Sequence, residues 1–195
     1  MKKNRYQNNL KFLLSAPDLK SLPPDFGKEV AFIGASNVGK SSMLNTLAGE
    51  KNLARVGKTP GVTQFINVFV LDQKTRIIDL PGYGYAKVPL KKREELQEMT
   101  NSYLQKRESL VGLFVLTDSR HPLKPQDLKL ISWAKEANLP ICILLTKIDK
   151  LTRTEAVAAL KFVQNEIPNC SAHVFSAENK TGLGDVLTEL DHWLL

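Results

Sequence analysis

The chain has 195 residues, the length of about one domain. Its 43% hydrophobic and 24% charged residues match folded soluble domains, which excludes fibrous and wholly disordered architectures. Lys and Arg outnumber Asp and Glu by 27 to 20, a net charge of +7 that favours polyanionic partners, nucleic acid foremost.

The first 28 residues lack strong periodicity and carry Pro17, Pro23 and Pro24. They read as an N-terminal arm, 1–28, with a short edge element around 10–14. Only Phe12, Leu13 and Leu14 are consecutively apolar there, too few for a secretory segment. From Glu29 onward short apolar runs alternate with longer amphipathic segments, the pattern of an α/β domain over 29–195 with crossover helices. Strands are predicted over 30–34, 65–71, 75–79, 110–117, 141–146 and 173–176. Helices fall over 39–48, 90–106, 125–137, 153–165 and 183–194. The runs 65–71 and 75–79 are too close for a crossover, so that pair is antiparallel. The expected fold is a mostly parallel six-stranded sheet with one antiparallel strand and helices on both faces. Two strandless stretches, 49–64 and 80–89, hold Gly and Pro, and long loops in a compact domain are usually functional. The apolar runs 110–116 and 139–145 fall far short of the roughly 20 residues that cross a bilayer. Cys142 and Cys170 lack CxxC spacing and read as inert thiols of a reducing compartment. A cytoplasmic protein without membrane insertion is expected.

Gly34, Ala35, Ser36, Asn37, Val38, Gly39, Lys40 and Ser41, followed by Ser42, fit GxxxxGK[ST] between a predicted strand and a predicted helix, the context this phosphate-binding loop requires. Glycines let successive N–H groups converge on an anion at a helix N-terminus. Lys40 supplies a cation to the β- and γ-phosphates, and the Ser41 hydroxyl suits Mg²⁺. The bland alternative, a glycine-bearing turn that binds nothing, does not account for that context. Asp79, Leu80, Pro81 and Gly82 end a strand at the same sheet edge. Asp79 is placed to hold Mg²⁺ through water, and Gly82 leaves its N–H free to approach the γ-phosphate. Thr146, Lys147, Ile148 and Asp149 end a further strand. The two acceptor oxygens of Asp149 match the N1–H and N2–H₂ donors of guanine, Lys147 can lie across the purine, and the segment Phe175, Ser176, Ala177 can offer a backbone N–H to O6. GTP and GDP are the expected ligands. Taken singly, each motif after the first also fits an ordinary solvated loop; their order along the chain argues for one site.

This series resembles the translation-factor-like P-loop GTPases. The text around it, including Thr59-Pro60-Gly61-Val62-Thr63-Gln64, Asp79-Leu80-Pro81-Gly82-Tyr83-Gly84-Tyr85-Ala86 and Asp118-Ser119-Arg120-His121-Pro122, looks like the EngB family, also called YihA or YsxC. The resemblance implies a small, monomeric bacterial GTPase of low intrinsic rate. It further implies a partner in the large ribosomal subunit or its precursors, through rRNA and ribosomal proteins, and a role in normal division and septation. It places Gly61, Val62, Thr63 and Gln64 in switch I, with the Thr63 hydroxyl joining Ser41 and Asp79 on Mg²⁺, and makes Lys40, Asn37 and Thr63 the groups that assist hydrolysis. Thr146 stands where most GTPases have Asn. Tyr83 stands where a water-orienting Gln follows DxxG in Ras-type enzymes, and a phenol of pKa about 10 is a poor base. Asn37 resembles the P-loop asparagine of GTPases that recruit K⁺ beside the phosphates; its bland alternative is to brace the loop.

Basic residues cluster twice, at Lys2, Lys3, Arg5 and Lys11 and at Lys87, Lys91, Lys92 and Arg93, the second directly after switch II. Asp118 and His121 read as structural or surface residues, and Met43, Met99 and Trp133 as core or face residues. The competing function is a GTP-binding regulatory module acting on a protein partner in division without ribosome binding.

Overall fold

A computed structural model describes residues 4–54, 64–84 and 89–195. Its elements in chain order are β1 (Lys11–Ala16), β2 (Lys28–Gly34), α1 (Lys40–Ala48), β3 (Ile66–Val70), β4 (Thr75–Asp79), α2 (Leu90–Lys106), β5 (Leu110–Asp118), α3 (Pro125–Glu136), β6 (Ile141–Thr146), α4 (Arg153–Glu166), β7 (Ser171–Val174) and α5 (Leu183–Leu194). One sheet runs β1-β3-β4-β2-β5-β6-β7. Only β3 opposes its neighbours, pairing antiparallel with β1 and β4; the other pairings are parallel.

The sheet has seven strands rather than six because the arm supplies an edge. Lys11–Ala16 pairs with β3 across a register shift between Phe12 and Leu14. This strand buries little beyond Ala16 and leaves Phe12 and Leu13 exposed, so it lacks the period-2 alternation that marks half-buried strands. Tyr6 adds an anchor: it is fully buried, and its hydroxyl donates to Asp191 of α5 at 3.1 Å.

Alternation along the central strands builds two cores. Val30 and Phe32 of β2, Phe114 and Leu116 of β5, and Leu144 of β6 meet Met43, Leu44 and Leu47 of α1 and Val186, Leu190 and Trp193 of α5. Ala31, Ile33, Leu113, Val115, Ile143 and Leu145 face the opposite side, toward Tyr103 of α2, Ile131 of α3 and Val163 of α4. Phe32 and Phe114 stack at 4.7 Å between centroids. Each such buried aliphatic or aromatic side chain contributes about 1.5–3 kcal/mol relative to exposure. The helices therefore cover both faces, and the carboxyl ends of β2, β4, β5 and β6 share one edge.

At the opposite edge Glu29 is fully buried. It accepts from Arg76 at 3.1 Å, Arg107 at 2.7 Å and Tyr103 at 2.8 Å. The same arginines donate to the carbonyls of Pro23, Pro24 and Phe26, tying the arm to β4 and α2. Burial alone would raise the Glu29 carboxyl, but the bonds from Arg107, Tyr103 and Arg76 outweigh it and hold it below the usual range. Among the described residues no helix is long and apolar enough to cross a membrane.

Candidate nucleotide site

At the end of β2 the chain turns sharply into α1. A side chain on Gly34 would lie 2.6 Å from the Leu116 carbonyl and 2.9 Å from Val38 Cγ1, so only glycine lets β2 and β5 approach there. Gly39 sits at φ 108°, and a side chain there would meet Thr146 only at an ordinary contact of 3.8 Å, so its backbone angle, rather than crowding, requires glycine. Gly39 offers no side-chain cap, which leaves first-turn amides of α1 for an anion. Lys40 is buried and paired with Asp79, the last residue of β4. Ser41 and Ser42 lie half-buried in the same turn. Asn37 is exposed at φ 60°, a left-handed conformation that Asn tolerates better than most residues.

The DxxG segment continues along β2. Leu80 N–H donates to the Phe32 carbonyl at 3.0 Å, Tyr83 N–H to the Gly34 carbonyl at 3.3 Å, and Ser36 N–H to the Tyr83 carbonyl at 2.8 Å. Asn67 of β3, a polar residue inside the apolar text INVFV, donates to Asp79 Oδ2 at 3.1 Å and accepts from Ser15 of β1 at 2.6 Å.

At the end of β6 the Thr146 hydroxyl lies 2.6 Å from the Val38 carbonyl and 3.1 Å from the Thr117 carbonyl, fastening this strand end to the phosphate loop. Lys147, at φ 60°, donates to Asp118 Oδ2 at 3.0 Å. Asp118 is also held by Arg120 at 2.7 Å, and these bonds, that of Arg120 above all, keep its carboxyl well below the ordinary range. Asp149 Oδ1 accepts from the Ser176 hydroxyl at 2.6 Å, and its Oδ2 pairs with Lys150 at 3.1 Å. The Ser176 bond leads in lowering the Asp149 carboxyl, which stays ionised.

Of the residues expected at the site, the structure gathers Gly34 to Ser42, Asp79 to Gly82, Thr146 to Asp149, Ser176 and Ala177 at one sheet edge. Val38, Leu80, Pro81 and Ile148 are buried and can serve only through their backbones. Phe175 is corrected from a nucleotide contact to a support: its side chain is buried, its N–H donates to the Leu145 carbonyl at 2.8 Å, and its carbonyl accepts from Ile148 at 3.2 Å. Ser176 N–H is committed to the Thr181 carbonyl at 3.1 Å, which leaves Ala177 N–H as the candidate for O6. Gln64 is exposed just before β3. Gly61, Val62, Thr63 and Lys87 lie outside the described residues. Sequence reasoning passed over Asn67 and Asp127 and read Asp118 only as structural or surface. Asn67 was signalled by polarity within an apolar strand, Asp118 by its place at a strand end, and Asp127 of α3 by nothing local. Asp118 and Asp127 line a cavity of about 110 Å³ together with Asn37, Thr117 and Lys147.

Residues 29–147 match the family described as 50S ribosome-binding GTPase. The probable GTP-binding protein EngB of Haemophilus influenzae is 48% identical over 186 residues, 93% of this chain and 91% of that protein. Its counterpart in Alteromonas mediterranea is 50% identical over 192 residues, 96% and 91% of the two chains. The chain belongs to the EngB family of GTP-binding proteins. A crystal structure of a probable GTP-binding protein EngB superposes with a TM-score of 0.70 at 22% identity, covering 85% of this chain and 98% of that one. Aquifex aeolicus Era bound to GDP·AlF₄⁻ gives 0.70 at 22% identity over 86% of this chain and 56% of that one; these two likenesses concern the fold. The chain is accordingly a P-loop GTPase, and its loop, DxxG and TKID segments meet at the edge where α/β folds bind ligands.

Proposed function

We propose that the chain is a GTP-dependent switch in assembly of the large ribosomal subunit, and that normal division and septation depend on it through that work. In this reading the first-turn amides of α1 and Lys40 hold the β- and γ-phosphates, Lys147, Asp149 and Ala177 select guanine, and Gly82 senses the γ-phosphate. Ser41, Asp79 and Thr63 would hold Mg²⁺. An all-oxygen donor set that includes a buried carboxylate suits that hard cation. When bound, Mg²⁺ supplies positive charge as phosphoryl transfer proceeds. The Asn37 side-chain oxygen would be one ligand of K⁺, adding positive charge where the chain has Tyr83 in place of glutamine. The protein acts in the cytoplasm as a monomer, with 1–28 an arm packed on the nucleotide-binding domain 29–195.

The observation that carries the ribosomal reading is the start of α2. Lys91, Lys92 and Arg93 occupy its first turn, which holds no acidic residue. Cations at a helix N-terminus oppose the macrodipole, so apart from the exposed Lys92–Glu95 pair at 3.3 Å this composition works against the helix and suits a phosphate backbone instead. A family name that includes 50S ribosome binding and a relative of the same fold, Era, crystallised with a 16S ribosomal RNA segment, point the same way. Cosedimentation with large subunits in GTP, GDP and no nucleotide tests it. Binding is expected with GTP and should weaken steeply as salt rises, with a shallower slope after reversal of Lys91, Lys92 and Arg93. Binding to a division protein alone, whatever the nucleotide, would favour the regulatory-module alternative.

A further inference from the structure

Tyr83 makes more contacts than a surface residue of a switch loop needs. Its carbonyl and N–H bond the phosphate-loop residues Ser36 and Gly34, and it forms a parallel bridge with Ala35. Its hydroxyl donates to Asp127 Oδ1. Asp127 is 1% exposed, and its second oxygen accepts from Lys124 N–H at 2.9 Å and from the Thr117 hydroxyl at 3.0 Å. Thr117 reaches onward through its carbonyl to Thr146 of the TKID segment. Gly84, exposed at φ 75°, follows at once, and residues 81–84 line a cavity of about 300 Å³ together with side chains of α2 and α3. Backbone and side chain of this one residue thus tie the end of DxxG to the phosphate loop on one side and to α3 and β5 on the other.

We infer that Tyr83 is a positioning residue for the GTPase reaction: its hydrogen bond to Asp127 fixes the Gly82 amide where it meets the γ-phosphate, so that the bond raises affinity for GTP relative to GDP. The inference rests on the reading of Gly82 as the γ-phosphate sensor. It gives the residue that replaces glutamine a task other than orienting water. Burial, with Asp127 beside it, pushes the phenol far above its ordinary range, and a phenol that stays protonated cannot take a proton from the attacking water. Two acceptor sites of the Asp127 carboxylate are taken by Lys124 N–H and the Thr117 hydroxyl, which belong to the start of α3 and to β5 and not to the loop, so the Tyr83 bond is the member of this cluster that a movement of the loop would make or break.

Tyr83→Phe removes the hydroxyl and keeps the ring. Affinities of fluorescent GTP and GDP analogues, turnover at saturating GTP, and thermal stability would be compared with wild type and with Asp127→Asn. Loss of one hydrogen bond to a charged group predicts a fall of about tenfold in the GTP-over-GDP affinity ratio. Turnover should fall with it, while GDP affinity stays within about twofold because the phosphate loop and base site are intact. The double variant should be no worse than the poorer single one. Equal weakening of GTP and GDP, an unchanged ratio, or additive losses in the double variant would overturn the inference. If Tyr83→Phe does not fold, the ratio in Asp127→Asn decides. An unchanged GTP affinity in Lys40→Ala would instead sink the site reading beneath it.

Discussion

Replacing Asp149 with Asn tests base selection at a single atom pair. The carboxylate oxygens would accept from N1–H and N2–H₂ of guanine, and hydrogen bonds to an ionised acceptor contribute about 1.5–3 kcal/mol each. The amide removes one of these and sets a donor against a donor. The loss should reach about 3–4 kcal/mol, roughly 150- to 1,000-fold in GTP affinity. The structure also predicts which way the amide turns. The Ser176 oxygen already accepts from the N–H groups of Glu178 and Asn179 at 3.2 and 3.4 Å, so its hydroxyl proton is committed to the side chain at position 149, 2.6 Å away. The introduced amide would keep its oxygen toward Ser176 and present NH₂ to the ligand, where the C2 oxygen of xanthine accepts it. Competitive titration with GTP and xanthosine triphosphate should show the preference reversed, and adding Ser176→Ala should erode the reversal by freeing the amide to flip. A double variant as xanthine-selective as the single one would refute the orienting role of Ser176. A single variant with no relative gain for xanthine would remove Asp149 from the base site.

Lys40→Ala should weaken GTP binding and Ser41→Ala should chiefly blunt its Mg²⁺ dependence, with circular dichroism unchanged in both. If Asn37 ligates K⁺, hydrolysis in matched potassium and sodium buffers should be faster in potassium, and Asn37→Ala should erase the difference; equal rates in the wild type would end that reading. Glu29→Gln should destabilise the fold by about 3–5 kcal/mol, the cost of breaking a buried ion pair on one side, measured by urea unfolding. Because the folded Glu29 carboxyl lies below its ordinary value, its stabilisation is fully present above the unfolded value near 4.3. It disappears as pH falls through the lowered folded value, and acid unfolding of Glu29→Gln should lack that part of the slope.

The central sheet was legible because β2, β5 and β6 are buried on both faces and read as unbroken apolar runs ending in Gly34, Asp118 and Thr146. Motifs at those ends marked the candidate phosphate and base elements, since each demands particular residue types in a fixed local order. What remained hidden depends on distant pairing. The edge element expected around 10–14 is β1, but its pairing with β3 was hidden, because the strand exposes Phe12 and Leu13 and carries no alternation to find. The last strand ends at Val174, two residues before the expected limit, because Phe175 and Ser176 leave the ladder to brace Ile148 and Asp149. Asp127 looks like a helix N-terminal acid that closes a capping box, which is a sufficient local reason for it. Its bond to Tyr83 spans 44 positions and has no sequence signature.

The charges of the site are arranged in exchangeable pairs. Lys40 is 7% exposed and Asp79 1%, and neither could be buried alone without a cost of several kcal/mol. Each is therefore the partner of the other, with Asn67 filling a second acceptor position on Asp79. In the proposed function the phosphates would claim Lys40. Asp79 would then be left buried with the Asn67 amide still donating to it, a loss that a hydrated Mg²⁺ held there would make good. Nucleotide and metal binding should thus favour one another through one side-chain exchange. Asn67, fixed by Ser15, holds Asp79 in place while its cationic partner changes, which gives the edge strand drawn from the arm a bearing on the phosphate site.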